Sequence, residues 1–242
     1  MIPNHYEFVF PVKIISGHDA LDNLPAALAE ADASRPMVVA DAGVVKVGLL
    51  KVLLDALAES SVAIGALYDQ TPTDSSTGLV NELAALYQAK SCDSLIAIGG
   101  GSVIDTCKGV NILVSKNATD IHEFRGAECL KGPLKPFYVV PTTAGTGSEA
   151  TGAAVIHDPE KHVKMLFISE WLMPRVTFLD TRMTLTLPPK LTAATGADVL
   201  SHAMETYISI RKNPKSDAYA WHACTPWAMP LGQLPGFHTA SA

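Results

Sequence analysis

Short apolar runs alternate with longer amphipathic stretches over the first 140 residues of the chain. The apolar runs predict buried strands at residues 37–40, 62–68, 95–98 and 137–140. The stretches between them place apolar residues every three or four positions, which predicts helices at 48–58, 79–89 and about 103–114. Strands that are apolar throughout and separated by helix-length segments indicate a parallel sheet with helices on both faces. We therefore expect a Rossmann-like α/β domain.

The pattern changes beyond residue 152. Two apolar stretches, 153–157 and 162–168, flank a proline-containing turn and predict a β-hairpin. A further short strand is predicted at 176–179. A helix is then expected at about 189–210, because the prolines at its start are tolerated in a first helical turn.

A domain boundary is expected between Asp180 and Pro188, with an α/β domain at 1–184 and the start of a helical domain at 185–242. The end of that second domain is unusual, since no Asp, Glu, Lys or Arg occurs from residue 218 onward. The average charge content predicts about four such residues there. Prolines and glycines also lie where helices should continue. We expect residues 223–242 to be an aberrant tail.

Composition and charge exclude several classes of protein. The chain has 242 residues, of which 48% are hydrophobic and 17% charged, a balance unlike that of disordered chains. A net charge of −6 disfavours nucleic acids and anionic membranes as partners. No apolar run approaches the roughly 20 residues that span a bilayer, and the N-terminus lacks the features of a signal peptide. The four cysteines form no C-x-x-C pair. A cytoplasmic enzyme is expected.

Three glycines and a serine, Gly99 to Ser102, connect the predicted strand 95–98 to a helix. Glycines let backbone N–H groups approach a phosphate, and the start of a helix adds a partial positive charge. A tight turn that only needs positive φ angles is the alternative. The G-x-G-x-x-G pattern of standard Rossmann dehydrogenases is absent.

Two other strand ends carry residues suited to a nucleotide. Asp41 follows the strand 37–40, where a carboxylate can accept both hydroxyls of an adenosine ribose and repel a 2′-phosphate. An Asp at this position is more often a helix cap. The strand 137–140 is followed by PTTAGTGSE, whose small side chains and hydroxyls would suit a nucleotide or form an ordinary polar turn.

Asp198 and His202 are four residues apart on the predicted helix 189–210. This spacing puts both side chains on one face, where they can share a metal ion. They supply only half of a site, because a tightly held divalent ion generally has three or four protein ligands. The other histidines do not complete it.

Four ordered motifs together resemble the iron-containing (group III) alcohol dehydrogenase family, from about residue 5 to about residue 222. The motifs are IGGGSVIDTCKGV, PTTAGTGSEATGAAV, VTFLDTRMTLTLPP and AATGADVLSHAMETYIS. The resemblance implies a dehydroquinate synthase-like architecture, with a dinucleotide-binding domain followed by an all-helical domain. It also implies NAD and a divalent metal, Fe²⁺ ahead of Zn²⁺. A small alcohol or aldehyde is the implied partner, and a homodimer is one oligomeric state left open.

The resemblance also assigns residues to the cofactor and the metal. It implies nine cofactor-binding positions: Asp41 at the adenosine ribose, Gly100, Gly101 and Ser102 at the pyrophosphate, Thr142, Thr143 and Thr146 along the cofactor, and Lys164 and Leu179 at the ribose and nicotinamide. The first two metal ligands would be Asp198 and His202. Thr71 departs from the Asn that the family often shows there and is not assigned.

The implied reaction transfers a hydride from the carbinol carbon to C4 of the nicotinamide, while the metal ion polarises the alcohol oxygen. The family continues well past residue 242, where its remaining histidine ligands lie. We therefore expect an incomplete member with negligible alcohol oxidation of its own. Two alternatives stay open: a related enzyme such as glycerol dehydrogenase or dehydroquinate synthase, and a nucleotide-binding module without catalysis.

Overall fold

The computed structural model describes residues 6–228, of which 226–228 are described by their backbone alone. The chain divides into two compact units. One is Pro11–Leu187, and the other combines Met1–Phe10 with Pro188–Ala242.

A six-stranded sheet forms the centre of the first unit. Its strands are β1 (Lys13–Gly17), β2 (Pro36–Ala40), β3 (Ala66–Tyr68), β4 (Ser94–Gly99), β6 (Phe137–Pro141) and β9 (Val176–Asp180). They lie in the order β1-β9-β6-β4-β2-β3, and every neighbouring pair is parallel. The predicted α/β fold with a parallel sheet is therefore confirmed.

Helices cover both faces of this sheet, as the sequence predicts. They are α1 (Leu24–Ala29), α2 (Ala42–Lys46), α3 (Leu49–Leu57), α4 (Thr77–Ala89) and α5 (Gly101–Lys116). Alternate residues of one strand pack on opposite faces, so that Val139 belongs to the core with α4 and α5 while Val140 belongs to the core with α1 and α3. Because both faces are buried, the central strands have no polar side.

A small second sheet lies on the outer side of α5. Its strands are β5 (Gly126–Ala127), β7 (Ala153–Asp158) and β8 (Val163–Ile168), in the order β5-β8-β7. The pair β7 and β8 is antiparallel and forms the predicted hairpin. Ile156 of β7 and Met165 of β8 are fully buried in the same core as α5. Since α5 is covered on both sides, it is apolar around most of its circumference.

The structure differs from the predicted elements of the first unit in two ways: one predicted strand is shorter, and several short elements were not predicted. The strand predicted at 62–68 is reduced to β3, although Ala63 and Gly65 still donate backbone hydrogen bonds to Ser34 and Pro36 around the start of β2. The elements β1, α1 and α2 were not predicted. Each has only five or six residues, too few for a clear apolar period.

Two helices form the described part of the second unit, α6 (Pro189–Ile208) and α7 (Pro214–Ala228). The predicted helix ends two residues early, since Ser209 leaves the helical region with ψ 143°. Helix α7 reaches residue 228 and so includes the first six residues of the predicted aberrant tail. The domain boundaries and the tail stay a prediction. The rest of that tail, 229–242, lies outside the described residues. None of the helices within 6–228 has the length and apolar character needed to cross a bilayer.

Candidate dinucleotide-binding site

The strand order of the main sheet reverses between β2 and β4. The chain leaves β2 toward β3 on one side, and it leaves β4 toward β6 on the other. At such a reversal the loops after the two strands diverge and open a crevice at the carboxyl edge of the sheet. Asp41 directly follows β2, and Gly100 directly follows β4. Two of the three strand ends predicted to bind the cofactor therefore lie at the reversal.

The glycines after β4 are required because there is no room for a side chain, and not because the backbone has a conformation that only glycine adopts. Within residues 6–228, the residues with positive φ do not include Gly99, Gly100 or Gly101, so the tight-turn alternative is wrong. A Cβ at Gly99 would lie 2.6 Å from Val103 Cγ2 and 3.2 Å from Asp41 Oδ2. A Cβ at Gly101 would lie 2.9 Å from both Cγ2 and Oγ1 of Thr146. A side chain at Gly99 or Gly101 would therefore collide with Val103 or Thr146.

The N-terminus of α5 lies at this turn. Gly100 is its N-cap residue, and within the described chain no side chain caps the helix. The first N–H groups of a helix lack partners in the helix itself, and the dipole of a 16-residue helix adds a partial positive charge. An uncapped helix start beside closely approaching backbone can bind an anionic group such as a pyrophosphate.

The threonine-rich turn after β6 lies against the glycine turn. The register of β4 and β6 pairs Gly99 with Pro141, and the Thr142 N–H donates to the Gly99 carbonyl at 3.1 Å. A Cβ at Gly100 would lie 3.1 Å from Thr143 Oγ1. The two turns therefore lie together at the carboxyl edge of the sheet.

Asp41 is the N-cap of α2, as the alternative for this residue predicts. Its Oδ1 accepts hydrogen bonds from the N–H groups of Gly43 at 2.8 Å and Val44 at 3.0 Å. Its other oxygen, Oδ2, faces Gly99 and has no hydrogen-bond partner within the described part of the chain. Capping therefore leaves one carboxylate oxygen for a ribose hydroxyl.

The three other predicted cofactor residues lie on separate elements. Ser102, in the first turn of α5, donates its hydroxyl to the Thr73 carbonyl. Lys164 on β8 forms an exposed ion pair with Asp74, the residue after Thr73, with 3.1 Å between Nζ and Oδ1. Leu179 is the half-buried penultimate residue of β9, the strand next to β6.

Thr71, which the resemblance leaves unassigned, lies at the same edge of the sheet. It is 5% exposed, and its N–H donates to the Ala40 carbonyl at 3.1 Å. Its Oγ1 is buried and has no hydrogen-bond partner among the described residues. A buried hydroxyl without a partner costs free energy, so this atom is a candidate contact for a bound ligand.

Two charged residues of α5, Asp105 and Lys108, were not among the residues predicted from the sequence. They follow the glycine turn within one helical turn of each other, and Lys108 is 1% exposed. Two charges within a stretch whose apolar residues predict a buried helix are the signal in the sequence that could have identified them.

The two predicted metal ligands lie in the second unit, on α6. His202 Nε2 and Asp198 Oδ1 are 3.8 Å apart, and both side chains are about half exposed. A carboxylate oxygen and an imidazole nitrogen suit a divalent ion such as iron or zinc. Within residues 6–228, no group of three or more His, Cys, Asp or Glu residues is arranged to hold a metal ion.

Comparison with known proteins identifies the family. The model of the family described as iron-containing alcohol dehydrogenase matches residues 11–181. Alcohol dehydrogenase 4 of Schizosaccharomyces pombe is 39% identical over 76% of this chain and 43% of its own length. NAD-dependent methanol dehydrogenase of Bacillus methanolicus is 34% identical over 89% and 56%. A crystal structure of a 1,3-propanediol oxidoreductase matches with a TM-score of 0.86 and 30% identity, over 93% of this chain and 61% of the other. The chain thus spans about half the length of the curated relatives that it matches.

Proposed function

Because the chain belongs to the iron-containing alcohol dehydrogenases, we propose that its first unit binds NAD at the carboxyl edge of the sheet. The whole protein would use this cofactor to interconvert a small alcohol and its aldehyde or ketone. The family membership confirms the predicted resemblance, and NAD with a divalent metal are the cofactors of the family. The observation that carries the proposal is the contact between the glycine turn and the threonine-rich turn at the reversal of strand order.

The pyrophosphate would lie on the first turn of α5, where the backbone of Gly100, Gly101 and Ser102 is accessible to an anion. Asp41 Oδ2 would accept a hydrogen bond from the adenosine ribose, and the same charge would repel the 2′-phosphate of NADP. The remaining cofactor contacts would come from Thr142, Thr143, Thr146, Lys164 and Leu179.

Hydride transfer is the chemistry that NAD supplies when bound, and a divalent ion polarises the oxygen of the alcohol. The part of this chain is to bind and orient. Two rigid turns fix the pyrophosphate and so determine where the nicotinamide lies, and Asp198 and His202 would hold the metal ion. Such positioning lowers the barrier because the reacting groups are already aligned.

The metal donors favour a second candidate, a nucleotide-binding module without catalysis. Only two protein ligands are found within the described residues, and removing a Lewis acid removes several kcal/mol of transition-state stabilisation. We therefore propose that this 242-residue chain binds NAD but oxidises alcohols very slowly. Binding of NAD without retention of metal would support the module.

Location and assembly belong to the same proposal. The cysteines, all four of which lie within residues 6–228, are free thiols, which suits a reducing cytoplasm. A homodimer is the assembly that we propose, and sedimentation velocity on the purified chain would test it.

Substitution of Gly101 tests the proposed cofactor site. In Gly101→Ala the new methyl group would lie 2.9 Å from Cγ2 and Oγ1 of Thr146, so the threonine-rich turn would have to move away from the first turn of α5. We expect the Kd for NAD, measured by titration calorimetry, to rise by at least about tenfold, because the pyrophosphate loses close contact with the backbone.

Gly78→Ala is the matched control. Gly78 lies in the first turn of α4, and a Cβ there has no neighbour within 4 Å. The control should leave the Kd unchanged. Equal NAD affinity in Gly101→Ala and the unmodified chain would contradict the site, and no binding by the unmodified chain would contradict the function.

A further inference from the structure

The ammonium group of Lys108 is fully buried and has four hydrogen-bond acceptors. Nζ donates to the carbonyl oxygens of Ser148 at 2.7 Å, Thr151 at 2.8 Å and Ala153 at 2.7 Å. The Ser148 hydroxyl lies 3.1 Å away. Three carbonyls that point at one atom come from a single stretch, residues 148–153, which joins the threonine-rich turn to β7.

Asp105, one helical turn earlier on α5, contacts the same stretch. Its Oδ1 accepts a 2.6 Å hydrogen bond from the Ser148 hydroxyl, and its Oδ2 accepts one from the Val155 N–H at 3.0 Å. The Ser148 hydroxyl therefore connects both charged side chains. Together they fix residues 148–155 to α5.

Stability alone is a poor reason for this arrangement. Removing a lysine and a carboxylate from water is costly, and a buried ion pair often stabilises a fold no more than apolar residues of the same volume. Apolar residues could not, however, donate hydrogen bonds to three carbonyls, of which Ser148 and Thr151 contribute two before β7 and Ala153 contributes the third at the start of β7. The specific effect of Lys108 and Asp105 is to fix the backbone position of residues 148–155, where the threonine-rich turn ends.

The residues held by Lys108 and Asp105 adjoin the part of the turn that faces the proposed cofactor site. Thr146 precedes Ser148 by two residues, and its Oγ1 accepts from the Ser148 N–H at 3.2 Å. The Thr146 side chain is the one that lies closest to Gly101, at the N-terminus of the same helix. Helix α5 thus provides one wall of the crevice and anchors the other.

We propose that Lys108, together with Asp105, is a positioning residue that holds the threonine-rich turn against the N-terminus of α5 in the geometry that binds the dinucleotide. This role rests on the proposed binding of NAD. Lys108 itself does not contact the cofactor, because its Nζ is enclosed by residues 148–153.

The protonation of Lys108 gives this role a pH dependence. Burial lowers the pKa of its ammonium to about 8, against the opposing effect of the carboxylates of Asp105 on the same helix and Glu149 on the facing turn. Above this pH the neutral amine keeps two N–H donors for four acceptors. The turn should then be held less firmly, and NAD should bind more weakly as the pH rises from 7 to 9.5.

Lys108→Met tests the proposal, with Val110→Ala as a matched control. Val110 is fully buried on the same helix, and its truncation destabilises the core but leaves the hydrogen-bonding groups of Lys108 and Asp105 in place. We expect a Kd for NAD about tenfold higher in Lys108→Met, the loss of roughly one charge-assisted hydrogen bond. Val110→Ala should lower the thermal midpoint and leave the Kd within about twofold.

Two further variants separate positioning from folding. The double variant Asp105→Asn with Lys108→Met removes the unpaired buried carboxylate, so it should regain part of the thermal midpoint without regaining NAD affinity. Ser148→Ala is a milder change that removes only the hydroxyl joining the two side chains, and it should raise the Kd even if Lys108→Met does not fold. The unmodified chain should lose affinity by at least about threefold between pH 7 and 9.5, whereas Lys108→Met should not depend on pH in this range.

Each outcome bears on one proposal. An unchanged Kd in both Lys108→Met and Ser148→Ala, or a Kd in the double variant that recovers in step with its midpoint, would overturn the positioning role while NAD binding by the unmodified chain stands. No NAD binding by the unmodified chain would overturn the proposed function, and this role with it.

Discussion

Single side chains at the carboxyl edge of the sheet serve the fold and the proposed site at once. Asp41 uses one carboxylate oxygen to cap α2 and leaves the other beside Gly99. Thr71 uses its backbone N–H within the fold, and its buried hydroxyl has no partner in the described part of the chain. In each residue one side-chain oxygen, Oδ2 of Asp41 or Oγ1 of Thr71, takes no part in the hydrogen bonds of the fold and could bind a ligand.

Two substitutions of Asp41 should separate its two roles. Asparagine caps helices about as well as aspartate, so Asp41→Asn should keep the stability while losing the charge that repels a 2′-phosphate. Asp41→Ala should lose the cap and about 1 kcal/mol of unfolding free energy. Urea unfolding and calorimetric titrations with NAD and NADP would measure both effects. A preference for NAD that is as strong in Asp41→Asn as in the unmodified chain would contradict the assigned role.

At the scale of elements, α5 and α6 differ in how completely they form a site. Helix α5 lies between the two sheets, and its N-terminus meets a second turn that completes a crevice. Helix α6 carries Asp198 and His202 on one half-exposed face. A single helix can align two ligands by its period, but it cannot surround an ion.

The metal affinity of the 242-residue chain should reflect those two donors. Half of the binding free energy of a four-ligand zinc site is about 5–8 kcal/mol, which corresponds to a Kd between about 1 µM and about 0.2 mM. Calorimetry with Zn²⁺ would measure it. Asp198→Ala and His202→Ala should each abolish this binding, and His222→Ala on α7 is the control. Stoichiometric retention of metal through desalting would show that further ligands take part.

At the scale of the whole first unit, one buried carboxylate joins the carboxyl end of β9 to the segment after β1. Asp180 accepts hydrogen bonds from the Leu21 N–H at 3.0 Å and from Arg182 at 2.7 Å. Arg182 also pairs with Asp19 at 2.8 Å. Burial raises the pKa of Asp180, but the hydrogen bonds from Arg182 and Leu21 outweigh it and lower the pKa to about 2.

Acid should therefore weaken this unit through Asp180. The folded pKa lies below the value of about 3.9 in an unfolded chain, so the carboxylate stabilises fully above about pH 4 and loses its effect as the pH falls to 2. The loss should be about 2 kcal/mol. Urea unfolding at pH 5, 4 and 3 would show it as a falling midpoint. Asp180→Asn should be less stable at pH 5 and should lose less on acidification; an identical pH dependence would contradict the assignment.

The sequence by itself determined the order of elements and the chemistry of the strand ends. Apolar runs of four or more residues defined β2, β4 and β6, and glycines and threonines after β4 and β6 marked the turns, because burial and backbone approach constrain residue type locally. The short elements β1, α1 and α2 escaped prediction because packing stabilises them more than their own period does.

Only the tertiary structure decided which of these segments meet. The order of strands in the sheet depends on pairing between residues far apart in sequence, and it alone puts Asp41 beside Gly99 and Thr146 beside Gly101. The sequence shows Lys108 only as a charged residue, and the tertiary structure is what buries it and surrounds its Nζ with three carbonyl oxygens. The sequence shows which interactions each residue type is able to form. Long-range packing determines the neighbours of each residue and therefore which of those interactions form.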